Sequence, residues 1–508
     1  MGMNTSILQQ LEVTANKFPD KVFLADKQTS VTYSEFINKA KTIASNLIKY
    51  NLKNQPIIVE TKRNIETIIM FFGVLYSGNF YVPIDSENPK ERTTAIMKNL
   101  FHDIDNKIML SYSDGFYVNE ISSDFELENK YQIINEINHN ALQLIDLTRN
   151  VNDPIYMIYT SGSTGLPKGV IKSHLNIISF VEAFVKEFNI LSEEILGNQT
   201  PFYFDASAKD IYVALYVGAT IEIIPKEAFS FPMNLIKLLN DKKITMIQWV
   251  PSALNIVSQF KVFKAIKPLY LKKVFFVGEV MPIKYINDWF TNVEAKFYNL
   301  YGSSETAGIV CYYEITKVLD ETERLPIGKA LSNAQILVVN DDNKVCNKNE
   351  NGEIFIRGAM LAQGYYNNKE LTDKVFVQNP LHNNYNDIVY KSGDVGYFDD
   401  NNNLMFVCRK DYQIKHMGHR IELGDIEVAV NSVKGIKECC CVYSEKTSKI
   451  ILYYSLLEEI ENSITYLKNE LQTKLPNYML PNRYTLMEEL PKNQNGKIER
   501  KKLKELVE

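Results

Sequence analysis

The sequence carries no excess of basic charge. Its 56 Lys and Arg against 61 Asp and Glu leave a net charge of −5 over 508 residues, so no positive field is available to hold a nucleic-acid backbone. It also lacks a long apolar run: the longest, IIMFFGVLY at residues 68–76, falls far short of the roughly 20 residues that cross a bilayer. That run reads as a buried helix, and no stable membrane insertion is expected. No basic stretch followed by an apolar one opens the chain, so no secretory leader is expected. The six cysteines form no C-x-x-C pair and no His-linked metal spacing. Three of them, Cys439, Cys440 and Cys441, are consecutive; such a run chelates poorly, and in a strand its members alternate faces. They read as reduced, partly buried thiols of a cytoplasmic protein.

What remains is ordinary globular material, 45% apolar and 23% charged, long enough for two to four domains. Helix-period segments alternate with short β-rich runs: residues 33–49, then IIVE (57–60), then 65–77, then NFYVPID (79–85). This alternation predicts layered α/β sheets, largely parallel. From about residue 335 the pattern changes to short strands punctuated by Asp and Asn turns at 341–342 and 399–403, which predicts two hairpins in a β-rich subdomain. The last hundred residues mix helices and strands and end in a hairpin-like region. The predicted fold is therefore α/β, with a large N-terminal domain over 1–410 and a small, mobile α+β domain over 411–508.

The chemistry concentrates in three places. Residues 159–169, YTSGSTGLPKG, place hydroxyls, glycines and a lysine directly after an apolar run. Glycines let the loop bend so that backbone N–H groups converge on an oxyanion, and the hydroxyls and lysine add donors. This is a phosphate cradle, though without Walker A spacing. In YGSSE (301–305) a hydroxyl precedes a carboxylate, a set of oxygen donors suited to Mg²⁺. In YKSGD (390–394) an acid follows a small-residue turn, either a ribose grip or a plain turn aspartate.

Taken with VTYSEF (31–36), GVLYSGNFYVPID (73–85), FDAS (204–207), NLYGSSE (299–305), GEIFIRGAMLAQGYYN (352–367), RKDYQIKHMGHRIELGDIE (409–427), LPNYMLP (475–481) and NGK (495–497), these motifs resemble, in order and along nearly the whole chain, the adenylate-forming superfamily. The resemblance is to its amino-acid adenylation domains and to stand-alone relatives such as D-alanine–carrier protein ligases. It implies that Thr160, Ser161, Gly162, Ser163, Thr164, Gly165 and Lys168 hold the phosphates of ATP. Tyr301 would stack on adenine beside Asn299 and Gly302, Ser304 would lie next to Glu305, and Glu305 would hold Mg²⁺. Asp394 would take the ribose hydroxyls with Arg409 nearby, and Lys497 would be the catalytic lysine that meets the carboxylate and the α-phosphate. Asp411 matches the hinge about which the small domain turns, and Gly418 the glycine that leaves room for a pantetheine arm. Two positions depart from the pattern: Ser303-Ser304 replaces the usual Pro-Thr, and Cys408-Arg409 the usual Gly-Arg. Neither change removes a charged group.

Asp205 matches the acid that binds the α-ammonium of amino-acid substrates in that family; its alternative is to cap the helix that follows. The other pocket positions implied by the resemblance are Ala206, Lys209, Gln248, Phe275, Val277, Leu300, Gly308 and Ile309. A lysine and an amide in an otherwise apolar cavity suit a Glu, Gln or Asp side chain. Alternatively Lys209 reaches solvent and the cavity is small, as for D-alanine. No L-G-G-x-S carrier-attachment motif is present, so a phosphopantetheinylated carrier protein would be served in trans. An acyl- or aryl-CoA ligase would share the ATP motifs and differ in the pocket. A non-catalytic AMP-binding module would have lost Lys497, Glu305 or Asp394, and all three are present.

Overall fold

The elements follow from local chemistry. Thr32 and Glu35 form a capping box that starts the helix Tyr33–Leu47, and Asn64 caps Ile65–Tyr76, the predicted apolar helix, which is buried on nearly every side. These two helices pack closely enough that a methyl group on Gly73 would stand 2.5 Å from Ile43 Cγ2. The computed structural model describes residues 6–160, 167–410, 413–492 and 498–507. Among them no helix is long and apolar enough to cross a membrane.

The chain forms two compact units. The first comprises Met1–Ser86, Asp103–Ile158 and Gly169–Lys410; the second comprises Glu87–His102, Tyr159–Lys168 and Asp411–Glu508.

The first unit is built on three sheets. A nine-stranded sheet has the parallel strands Val22–Ala25, Thr220–Ile223, Ile195–Asn198, Met246–Trp249, Lys273–Val277 and Lys296–Tyr301 at its centre, with antiparallel strands at its edges. An eight-stranded sheet contains Pro154–Thr160, Lys168–Ser173, Phe80–Asp85 and Pro56–Thr61. The β-rich portion is a five-stranded antiparallel sheet in which Ile388–Phe398 pairs with Gly352–Gly358 and Leu404–Arg409. The two predicted turns are there, closed by Asn and Asp side chains: Asn340 Oδ1 accepts the backbone N–H of Asp342 and Lys344, and Asp399 Oδ1 accepts that of Asn403.

The second unit holds a two-stranded ribbon, Gln413–His416 with His419–Glu422, and a sheet of Ile436–Ser444, Lys449–Leu456 and Arg483–Leu486. The strand Ile436–Ser444 alternates its cysteines, with Cys439 and Cys441 in one apolar cluster and Cys440 in another. The hairpin-like ending is only partly realised. Arg483–Leu486 joins Lys449–Leu456 in parallel, which a hairpin cannot do, and among the described residues the remaining antiparallel pairing is a single bridge from Lys492 to Ile498.

Candidate functional site

In the first unit, the parallel strands of the nine-stranded sheet carry several of the residues expected around the acid. Gln248, Phe275 and Val277, and Leu300 lie on three adjacent strands, with Gln248 opposite Phe275 and Val277 opposite Leu300. Phe275 is buried among Phe184, Phe188 and Tyr298. Gly308 is left-handed (φ +104°), and a methyl group there would meet the Lys209 stem at 3.4 Å. Gly308 also explains the glycine of the YGSSE motif: a Cβ on Gly302 would lie 1.7 Å from the Gly308 carbonyl oxygen. Ile309 is fully buried.

The helix Ala206–Val217 begins at Asp205, whose side chain makes no cap hydrogen bond. The capping alternative for Asp205 is therefore not taken. Its Oδ1 instead accepts the Tyr156 hydroxyl at 2.8 Å and the Lys172 ammonium at 2.7 Å. Lys172 has no accessible side-chain surface. Burial lowers the pKa of its ammonium, against the opposing pull of Asp205 and then of Glu305. Nothing in the motif reading pointed to Lys172 or Tyr156. The available signal was a lysine two residues after Val170, on the same inward face of a strand.

One turn along the helix, Lys209 is buried, so the alternative in which it reaches solvent does not hold. Asp210 accepts the amides of Asn198 at 2.8 Å and Gln248 at 3.0 Å. Burial pushes the Asp210 carboxyl up to about 7, against the Asn198 hydrogen bond and the charges of Lys209 and Arg63. The same amides leave Asn198 Oδ1 and Gln248 Oε1 buried without a hydrogen-bond partner among the described residues. Arg63, half-buried, donates to the carbonyl oxygens of Asn198 and Gln199. No motif in the sequence marks this network.

The nucleotide-motif residues of this unit also come together. The Tyr301 hydroxyl donates to Asp394 Oδ2, and Arg409 donates to Asp394 Oδ1 at 2.7 Å and to the Ser392 carbonyl at 3.1 Å. Ser392 Oγ in turn accepts the Asp394 N–H at 3.0 Å. Asn299 is tied by its side chain to the Pro326 carbonyl at 2.7 Å. Glu305 is completely buried, and the Tyr365 hydroxyl donates to its Oε1 at 2.7 Å. Ser304 and Glu305 stand in the short turn Ser304–Thr306 that follows strand Lys296–Tyr301. A buried carboxylate after the strand end offers the hard oxygen donors that Mg²⁺ prefers, so the residues present fit that ion.

In the second unit, Thr160 Oγ1 is buried without a hydrogen-bond partner among the described residues. Lys168 heads the strand Lys168–Ser173. Gly418 occupies a tight two-residue turn with Met417, both at positive φ (51° and 79°), the requirement of a hairpin turn whose twist matches its strands. Ser161, Gly162, Ser163, Thr164, Gly165, Asp411 and Lys497 lie outside the described residues.

The sequence pattern of AMP-binding enzymes matches residues 11–366, and that of the AMP-binding enzyme C-terminal domain matches residues 425–497. Zwittermicin A synthase ZmaJ of Bacillus cereus is 30% identical over 99% of this chain and 95% of its own length. D-alanine–D-alanyl carrier protein ligase of Bacillus cytotoxicus is 29% identical over 98% of each. Gramicidin S synthase 2 of Brevibacillus brevis is 30% identical over 99% of this chain, which spans only 11% of that much longer protein. Among solved structures, the adenylation domain AlmE of Vibrio cholerae, in complex with glycyl-adenosine-5'-phosphate, superposes with a TM-score of 0.82 at 20% identity, over 100% of this chain and 98% of that one.

Proposed function

Because the chain belongs to the AMP-binding enzyme family, we propose that it activates a carboxylic acid as an acyl-AMP and passes the acyl group to the pantetheine thiol of a carrier protein acting in trans. In the first half, a carboxylate oxygen attacks the α-phosphorus of ATP, forming a P–O bond while the bond to pyrophosphate breaks. In the second, the thiol sulfur attacks the acyl carbon, the bond to the phosphate oxygen breaks, and AMP leaves with the electron pair. Positioning and electrostatics are the enzyme's contributions to such phosphoryl chemistry.

The observation that carries this reading is the convergence of Tyr301, Asp394 and Arg409. A carboxylate held in place by an arginine and a phenol is preorganised to accept two vicinal hydroxyls, and the Tyr301 ring is then fixed for stacking on a base. Thr160, with Ser161, Gly162, Ser163, Thr164, Gly165 and Lys168, would receive the phosphates. Glu305 would hold Mg²⁺, which when bound neutralises phosphate charge. Lys497 would stabilise charge developing at the reacting carboxylate and α-phosphate. The domain over 411–508 would turn about Asp411, bringing Lys497 to the first half-reaction and Gly418 to the second. The cytoplasm, where ATP and reduced thiols abound, suits this chemistry.

The FDAS motif and the relatives support an amino acid as substrate, with Asp205, Ala206, Lys209, Gln248, Phe275, Val277, Leu300, Gly308 and Ile309 around it. A second reading, an acid without an α-ammonium, is favoured by one contact, that of Lys172 with Asp205. The thiol half is tested by incubating the protein with ATP, Mg²⁺, an acid panel and a phosphopantetheinylated carrier protein, then weighing the intact carrier. Acylation of the carrier supports the reading; release of acyl-CoA with free coenzyme A and no carrier acylation moves the protein to the CoA ligases.

A further inference from the structure

The geometry points to a substrate with no ammonium group on the carbon beside its carboxylate. This inference rests on the acyl-adenylation reading and narrows the acid it uses. Asp205 is the carboxylate the motif assigns to an α-ammonium, yet its Oδ1 is already taken by Lys172 Nζ at 2.7 Å and by the Tyr156 hydroxyl at 2.8 Å. The lysine is not a surface residue that happens to reach inward. It stands within the strand Lys168–Ser173, with no accessible side-chain area. Its ammonium lies 5.5 Å from the centre of the Tyr156 ring, and the other charge acting on it is Glu305.

A substrate ammonium would have to share the Asp205 carboxylate with the ammonium of Lys172, which already holds its Oδ1. If a substrate ammonium joined Asp205, it would stand beside the like charge of Lys172 in a site that burial shields little; if it displaced Lys172, the lysine would be stranded without water. An uncharged substituent incurs neither penalty. A hydroxyl can donate to Asp205 Oδ2, which no described residue bonds, and hydrogen or aromatic carbon needs no partner. Lys172 thus supplies internally the cation that an α-amino acid would otherwise bring. It acts as a positioning and specificity residue, through Asp205.

The test is ATP–pyrophosphate exchange by the full chain on matched acids that differ only at the α-carbon. Suitable pairs are alanine and lactate, valine and 2-hydroxyisovalerate, phenylalanine and 3-phenyllactate, and glutamate and 2-hydroxyglutarate, in both enantiomers, with benzoate and octanoate added. Acids without the ammonium should give kcat/KM at least tenfold above their amino counterparts. Lys172→Met should swing that ratio at least tenfold toward the amino acids, with the change in the KM for the acid and not in that for ATP, because the substrate then supplies the missing cation. A wild-type preference for any α-amino acid overturns the inference and leaves the adenylation reading standing. Exchange with none of these acids overturns that reading and the inference with it. The wild-type ratio decides the matter by itself if Lys172→Met does not fold.

Discussion

Lys172 Nζ and Asp205 Oδ1 lie 2.7 Å apart, the lysine with no accessible side-chain surface and the aspartate with 8%. An ion pair so far from water contributes little net stability, but breaking one side of it is costly because the survivor is left buried and uncompensated. Lys172→Met should therefore destabilise the protein by about 3–5 kcal/mol. Adding Asp205→Asn should recover a large part of the loss, since the stranded charge is gone. Urea unfolding of the two single variants and the double variant measures the coupling; additive losses would mean the two groups act independently.

Asp210 gives the molecule a pH dependence of the opposite sense to most carboxylates. Its carboxyl is pushed up to about 7 by burial, while an unfolded aspartate titrates near ~3.9. Between those values the folded state binds the extra proton, so stability falls as pH rises from about 4 to about 7 and is level above that. Asp210→Asn, which keeps the shape without the titration, should flatten this slope, a difference of about 2–3 kcal/mol between pH 5 and pH 8. Thermal melts of both proteins at the two pH values check it, and parallel slopes would contradict it.

The glycine of the YGSSE motif is set by a backbone approach. With the Gly308 carbonyl oxygen 1.7 Å from the position a Cβ would take, Gly302→Ala must push apart the segments that carry Glu305 and Gly308. The expected cost is about 1–3 kcal/mol of stability, together with a raised KM for ATP because the following turn bears Glu305. An unchanged KM would place that turn outside the nucleotide site.

Thiol chemistry should separate the cysteines cleanly. Cys408 is exposed and Cys346 partly so, whereas Cys311, Cys439, Cys440 and Cys441 are buried. Burial drives the thiols of that buried set up, that of Cys440 to about 12, which leaves almost no thiolate. In the native protein an aromatic disulfide reagent should modify Cys408 quickly, Cys346 more slowly and the buried four only on unfolding. Peptide mapping after timed labelling reads this out, and early labelling at Cys439–441 would contradict the packing.

Much of this architecture is legible in the sequence because periodicity and turn chemistry are local. The 65–77 and 33–49 segments read as helices and are Ile65–Tyr76 and Tyr33–Leu47. The alternation of the three cysteines follows from the twofold period of a strand. The parallel addition of Arg483–Leu486 was not legible, since nothing within that segment says which neighbour it will meet. The site divides in the same way. Motif spacing picks out Tyr301, Asp394 and Arg409, which do meet. Lys172 meets Asp205 across 33 positions of chain, and Asp210 gathers Asn198 and Gln248 from two different strands. Those pairings belong to tertiary structure, and composition carries no trace of them.

The central claim is that this chain forms an acyl adenylate, and the most direct measurement is acid-dependent exchange of labelled pyrophosphate into ATP by the wild-type protein beside Asp394→Asn and Lys497→Ala. Exchange should require an acid and Mg²⁺, weaken about 10- to 100-fold on loss of the Asp394 charge-assisted contacts, and nearly vanish without Lys497. Exchange that ignores the acid, or that survives both substitutions unchanged, would contradict the claim.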